Sequence, residues 1–278
     1  MVVRRTRLAT TYPDRELSEE KQIRSLFIVA LPRSLSTVAY HVSRLALGLD
    51  EPVWTSDGEI LNNDRFSLYG GPTDDSGVKY VNPSLEPESF QAAIAFLNDV
   101  TRREGRAYKD VVQPFAVSAW LPASGLRVLR LRRRVADVAS AMRLRHWIYP
   151  ARAASADFRH RSLPELEVPI IDGLLRAEQA LETLPGEVVD YDSLIEDEGV
   201  LREALLRLYP GTRVRKFRYI DDTFRRMRDT VLARREEDTF RELENLVRHR
   251  QIKLAAYSPA SSSASRGLQT ETHLTPGQ

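Results

Sequence analysis

The sequence predicts an α/β protein with a mostly parallel central sheet flanked by helices. Three observations predict it. Leu26 to Leu31 (LFIVAL) is a continuous apolar run, the pattern of a strand buried on both faces. Further short strand candidates alternate along the chain with longer segments of helical periodicity. The first strand also feeds through a Ser/Thr-containing loop straight into a helix, the connection that parallel sheets use.

The elements follow in order. Val38, Val42, Leu45 and Leu49 fall at i, i+4, i+7 and i+11, with Gly48 placed to stop the helix. Pro52 to Thr55 reads as a short second strand. Residues 57 to 84 are rich in Gly, Asp, Asn, Ser and Pro and read as a long loop region, which is usually functional or mobile. A helix starts near Pro87, carries Phe90, Ile94 and Leu97 on one face, and is ended by Gly105. Tyr108 to Val112 is a strand, Phe115 to Leu121 a short helix, Arg127 to Leu131 a strand, and Val135 to Arg145 a helix. Pro164 to Leu184 is helical and precedes a strand at Glu187 to Tyr191. Leu201, Leu205 and Leu208 mark another helix, and residues 221 to 254 form a long charged helical stretch with one break.

The chain has 278 residues, 42% of them apolar and 29% charged, enough for a sizeable core. We expect a polar lead-in over residues 1 to 22, a single α/β domain over 23 to 257, and a disordered Ser/Thr/Pro/Gly-rich tail over 258 to 278. There is no cysteine, which excludes disulfides, thiolate nucleophiles and cysteine-ligated metals. The five histidines show no HExxH or HxH spacing, and no metal site is expected. No apolar run is long enough for a bilayer, and the N-terminal segment has no apolar core of a signal peptide. The expectation is a soluble, cytoplasmic protein without membrane partners.

Net charge is +2, which argues against a dedicated nucleic-acid binder. The cations are 36 Arg against 5 Lys. Codon usage of a GC-rich bacterial genome accounts for such a bias. An anionic ligand also fits it, because Arg presents a fixed fork suited to phosphate or sulfate.

Ligands of open parallel sheets bind at the carboxyl ends of strands. After the first strand comes Leu31-Pro-Arg-Ser-Leu-Ser-Thr37. A helix N-terminus offers unpaired N–H groups and the positive end of the dipole. Ser34, Ser36 and Thr37 add hydroxyls and Arg33 a cation, which together make a phosphate cradle. The Walker A pattern is absent, and the loop has no lysine. Ser and Thr at such a place also serve as ordinary helix caps.

Pro32, Arg33, Ser34, Leu35, Ser36 and Thr37, lying between strand and helix, resemble the 5′-phosphosulfate loop of PAPS-dependent sulfotransferases, P-[RK]-[SA]-G-[TS]-[TS]. Leu35 stands where that family often has Gly. The family's second signature is a strand followed by R-x(7)-S, which holds the 3′-phosphate. Here Arg132 and Ser140 follow the strand Val128 to Leu131, with Arg134 where Pro is frequent, and with Arg130 or Arg133 as substitutes. Val188 to Ile195 resembles the family's strand ending in Y-E-D-L, whose tyrosine, here Tyr191, borders the adenine. The C-terminal basic motif is not evident; Arg213, Arg215 and Lys216 are candidates to replace it.

The resemblance implies a P-loop-like sulfotransferase architecture. It implies transfer of a sulfuryl group from PAPS to a hydroxyl or amine of a small-molecule acceptor, leaving PAP, with no metal required. The reaction needs a base, cations and alignment. For the base we take Glu59 first, then Asp57, then His41. Lys109 resembles the family's strand lysine near the transferring group. Gln113, His146 and Trp147 are candidates for the acceptor pocket. Two other functions remain open: a metal-dependent nucleotide phosphotransferase with a degenerate P-loop, and an inactive nucleotide-binding protein.

Overall fold

A computed structural model describes residues 24–52, 58–61 and 79–256. The polar lead-in, the tail, Asp57, most of the proposed second strand and most of the 57–84 loop lie outside the described residues. Within them, four parallel strands form one sheet in the order β2-β1-β3-β4: β1 (Leu26–Ala30), β2 (Ala107–Asp110), β3 (Arg127–Arg132) and β4 (Glu187–Asp190). The predicted fold class is therefore observed, an all-parallel sheet flanked by helices. Two residues before the strand expected from Pro52, Asp50 makes an isolated parallel bridge to Arg106.

Alternation along β1 explains the two layers. Phe27 and Val29 point to one face, where α2 (Pro87–Val100), α3 (Pro114–Ser124), α4 (Val135–Leu144), α5 (Leu163–Glu182) and α9 (Asp238–Ala256) pack. Leu26, Ile28 and Ala30 point to the other, covered by α1 (Ser36–Leu47), α6 (Tyr191–Glu196) and α7 (Glu198–Leu208). Every β1 side chain is buried, at about 1.5–3 kcal/mol for each large one. That burial fixes the strand from which the site is built.

The strand order makes β1 a switch point. The chain crosses from β1 to β2 on one side, then returns past β1 to β3 on the other. The loops leaving β1 and β3 therefore diverge and leave a crevice at the carboxyl end of the sheet.

Gly48 ends α1 in the left-handed conformation, with its N–H bonded to the Arg44 carbonyl, as its position in the sequence predicts. A capping box of Ser162 and Glu165 starts α5. Gly173 of α5 lies against the turn Tyr149–Ala153, and a Cβ there would stand 1.8 Å from the Pro150 carbonyl oxygen. This close approach holds Tyr149 at the crevice. The charged C-terminal stretch is broken once, between α8 (Asp222–Arg235) and α9. Among the described residues, no helix is long and apolar enough to cross a membrane.

Candidate functional site

A cleft of about 900 Å³ opens over the carboxyl ends of β1, β2 and β3. Its floor is the loop that leaves β1. Arg33 and Leu35 both adopt left-handed backbone angles, with φ of 64° and 61°. Alternating backbone of this kind makes a concavity of N–H groups that binds anions. Leu35 occupies the N-cap of α1, and no side chain caps the helix. A left-handed leucine costs roughly 1–2 kcal/mol. Ser34 is 0% exposed and lines the cleft, yet its hydroxyl has no hydrogen-bond partner. An unpaired buried hydroxyl costs a further 1–3 kcal/mol or so. The N-terminus of α1 thus carries strain, open N–H groups and an orphaned donor in one place.

Beside the loop stands a buried charged group. Lys109, on β2, places its Nζ 2.9 Å from Glu59 Oε2 and donates to Thr37 Oγ1 at 3.1 Å. Its side chain is 3% exposed. Glu59 is 8% exposed, and its Oε1 accepts the Val111 N–H at 2.9 Å. Backbone pairing sets this geometry: Lys109 N donates to Gly58 O, Ile60 N donates to Lys109 O, and Glu59 bridges Lys109 in parallel. Gly58 has φ of +78°, and a Cβ there would lie 2.3 Å from the Tyr40 ring. Only glycine lets the chain approach here and deliver Glu59.

Asp110, the next residue on β2, is buried behind this pair and interacts with Glu59. Burial first, and the Glu59 charge second, push its carboxyl well above the usual range. Its Oδ1 accepts the N–H groups of Val112 and Gln113, at 3.2 and 2.7 Å, and so shapes the turn into α3. Two carboxyls and an ammonium therefore share one dry pocket.

On the β3 side, Arg133 lines the cleft. Its guanidinium lies 4.0 Å over the Tyr191 ring and donates to the Arg33 carbonyl, tying β3 to the loop. Its Nε has no partner, and burial lowers its pKa. Tyr191 is the first residue of α6 and is 3% exposed. Arg132 turns the other way. It is exposed and forms a two-point ion pair with Asp190, at 2.6 and 3.0 Å, outside the cleft. Ser140 lines a separate hollow between α4 and the α8–α9 corner. The cleft-facing residues on this side are Arg133 and Ala141, each one position later.

The structure therefore brings together Pro32 to Thr37, Glu59, Lys109 and Tyr191 of the sequence-predicted set, with His146 and Trp147 on the rim. It does not bring in Arg132 or Ser140. His41 sits on α1 with its ring edge-on to Tyr40 at 5.1 Å, and does not line the cleft. Gln113 is fully buried at the start of α3, and Arg130 donates to the Leu181 carbonyl. Arg213, Arg215 and Lys216 do not reach the cleft; Lys216 borders another groove.

Among the described residues, five cationic side chains line the cleft (Arg33, Lys79, Lys109, Arg133 and Arg234) against one carboxylate, Glu59. Arginines around it are neutralised: Arg132 by Asp190, Arg134 by Glu244, Arg152 by Glu86, and Arg235 by Asp137 and Asp192. Arg33 instead lies 5.8 Å over the Trp147 ring, and Lys79 5.3 Å over Tyr149. The described lining therefore carries a net positive charge.

Sequence reasoning missed Asp110, Lys79, Tyr149 and the α8 residues Met227, Thr230, Val231 and Arg234. Asp110 carried a signal, an acid closing an otherwise buried strand. The others carried none, because loop and helix residues far apart in the chain show no spacing rule.

No family model matches the sequence, and no curated protein matches it. Among solved structures, the chain is similar to the sulfotransferase domain from the curacin biosynthetic pathway. The identity is 12% and the TM-score 0.35, over 84% of this chain and 98% of that one.

Proposed function

We propose that the protein is a sulfotransferase that moves a sulfuryl group from PAPS to a hydroxyl or amine of a small-molecule acceptor. One observation carries this reading: the ammonium of Lys109 is held between the buried carboxylate of Glu59 and the hydroxyl of Thr37 in the anion loop. A single cation thus joins a base to an anion cradle, the pairing that group transfer from an anionic donor to a protonated nucleophile requires.

The residues present fit a phosphosulfate. The orphaned Ser34 hydroxyl, the N–H groups of the left-handed loop, and Arg33, which makes no ion pair with a described residue, would each gain a partner. PAPS supplies an activated sulfuryl group, whose bond to a phosphate oxygen breaks as a bond to the acceptor oxygen or nitrogen forms. In this chain, the N–H groups of the loop with Ser34, Ser36 and Thr37 hold the anionic end. Pro32 and Leu35 shape the loop, and Tyr191, under Arg133, offers an aromatic face to the base. Arg133 takes the part that the sequence pattern gives to Arg132. Glu59 accepts the acceptor's proton. Asp110 lies behind it, its carboxyl pushed up by burial and then by the Glu59 charge, and Lys109 pairs with Glu59. Lys109 then faces the charge left on the departing oxygen.

Calorimetry with PAP, ADP and ATP, each with and without EDTA, tests the reading. PAP should bind tightest and without divalent metal. Magnesium-dependent ATP binding in preference to PAP would replace it with a nucleotide phosphotransferase. PAP binding with no turnover of PAPS on a broad acceptor panel would leave a nucleotide-binding protein.

A further inference from the structure

We infer that α8 completes the nucleotide end of the cleft and that Arg234 selects a ligand bearing a second, outer phosphate. The inference rests on the PAPS reading above. Met227, Thr230, Val231 and Arg234 line the cleft, and their spacing of i, i+3, i+4 and i+7 places them on one face of α8. Most of the helix is otherwise exposed, and Val231 is its one buried residue. Its C-terminal end is nevertheless fixed. Arg235 reaches Asp137 with Nε at 3.0 Å, and Asp192 with Nη1 at 3.1 Å and Nη2 at 2.8 Å. Asp137 lies in the first turn of α4, close after Arg133, and Asp192 follows Tyr191 on α6. The clamp therefore registers α8 against the two elements that carry Arg133 and Tyr191.

The residue before the clamp is Arg234. It borders both the cleft and the adjoining hollow of Ser140, so it lies over α4 beside Ser140 and Ala141. It makes no ion pair with a described residue, whereas Arg235 next to it makes two. On α4 the cleft-facing partner of Arg133 is Ala141, which has no hydroxyl to donate. The Thr230 hydroxyl is engaged with the Arg226 carbonyl at 2.8 Å. An outer phosphate held by Arg133 thus lacks a second donor from α4, and Arg234 is the cation positioned to supply it. Two arginine forks are suited to one phosphate.

Titration calorimetry of wild type, Arg234→Ala and Arg234→Lys with PAP and with adenosine 5′-phosphate tests this. Wild type should prefer PAP. Arg234→Ala should weaken PAP by about 10- to 150-fold and change adenosine 5′-phosphate less than about twofold. Arg234→Lys should keep part of the preference. The thermal midpoint should stay near that of wild type, because the residue is only partly buried and makes no ion pair with a described residue. An unchanged PAP affinity, or equal loss for both nucleotides, overturns the role of Arg234 and leaves the PAPS reading standing. Failure of wild type to prefer PAP overturns both.

Discussion

Lys109 Nζ stands 2.9 Å from Glu59 Oε2, and both side chains are almost fully buried. Removing one partner of such a pair usually costs more than the pair itself contributes, because the other charge is left in a dry site. Glu59→Gln keeps one carbonyl acceptor, for either Lys109 or the Val111 N–H, turns a donating NH2 toward the other, and removes the charge. It should lower sulfuryl transfer by about 10²–10⁴-fold while PAP affinity changes little. It should also lower the thermal midpoint by several degrees, an effect that Lys109→Met added to it should partly reverse. Steady-state rates and calorimetry on the same preparation check this. Retention of more than half the wild-type rate rules out Glu59 as the base.

Arg133 and Ala141 face the cleft, whereas Arg132 pairs with Asp190 outside it. Arg133→Ala should therefore weaken PAP by about 10-fold or more, and Arg132→Ala by less than about twofold, since exposed ion pairs contribute little. Ala141→Ser should tighten PAP by adding the missing hydroxyl. The reverse order for the two arginines would return the site to the Arg132–Ser140 register.

This one-residue displacement shows where sequence reading stops. The strand itself was legible, because Val128, Leu129 and Leu131 supply its buried apolar side chains. Successive side chains alternate faces, so an error of one residue at a strand end moves a cation from cleft to solvent. A run of four arginines within five residues gives no pattern to settle the parity. By contrast, β1 and α1 were legible because a continuous apolar run and a stopping glycine are independent signals at adjacent places. Helix α6 was not, since YDSLIE continues a strand-like run and turns helical only at Tyr191. The far wall of the cleft, α8, lies about a hundred residues from Arg133 and is brought there by Arg235.

Leu35 holds a glycine-like backbone angle, φ of 61°, while its side chain packs half-buried against both α1 and α8 neighbours. The two substitutions that remove this side chain should rank in an unusual order. Leu35→Ala loses the packing and keeps the left-handed strain. Leu35→Gly loses the same packing but relieves roughly 1–2 kcal/mol of strain, and glycine is also the better N-cap. Leu35→Gly should therefore unfold at a higher denaturant concentration than Leu35→Ala. If alanine proves the more stable, the loop does not hold this conformation in solution.

Glu178, on α5, gives a pH test independent of the site. Burial, and then Glu182 beside it, raise its pKa to about 7, against the smaller opposing effects of Arg132 and Arg130. Between the ordinary glutamate value near 4.5 and this folded value, the native state keeps a proton that the unfolded chain has lost. Stability must then fall as pH rises through that window, and it levels off once both states are ionised. Glu178→Gln mimics the protonated side chain and removes the dependence. Because the group is partly solvated, the gain at high pH is discounted to about 1–2 kcal/mol, or about 2–6 °C in midpoint for a chain of this size. At pH 4 the variant and wild type should melt together; at pH 8 the variant should melt higher. Midpoints measured across that range check the sign directly. A constant difference between pH 4 and pH 8, or a variant that melts lower at pH 8, would show that Glu178 is charged and satisfied in the folded protein.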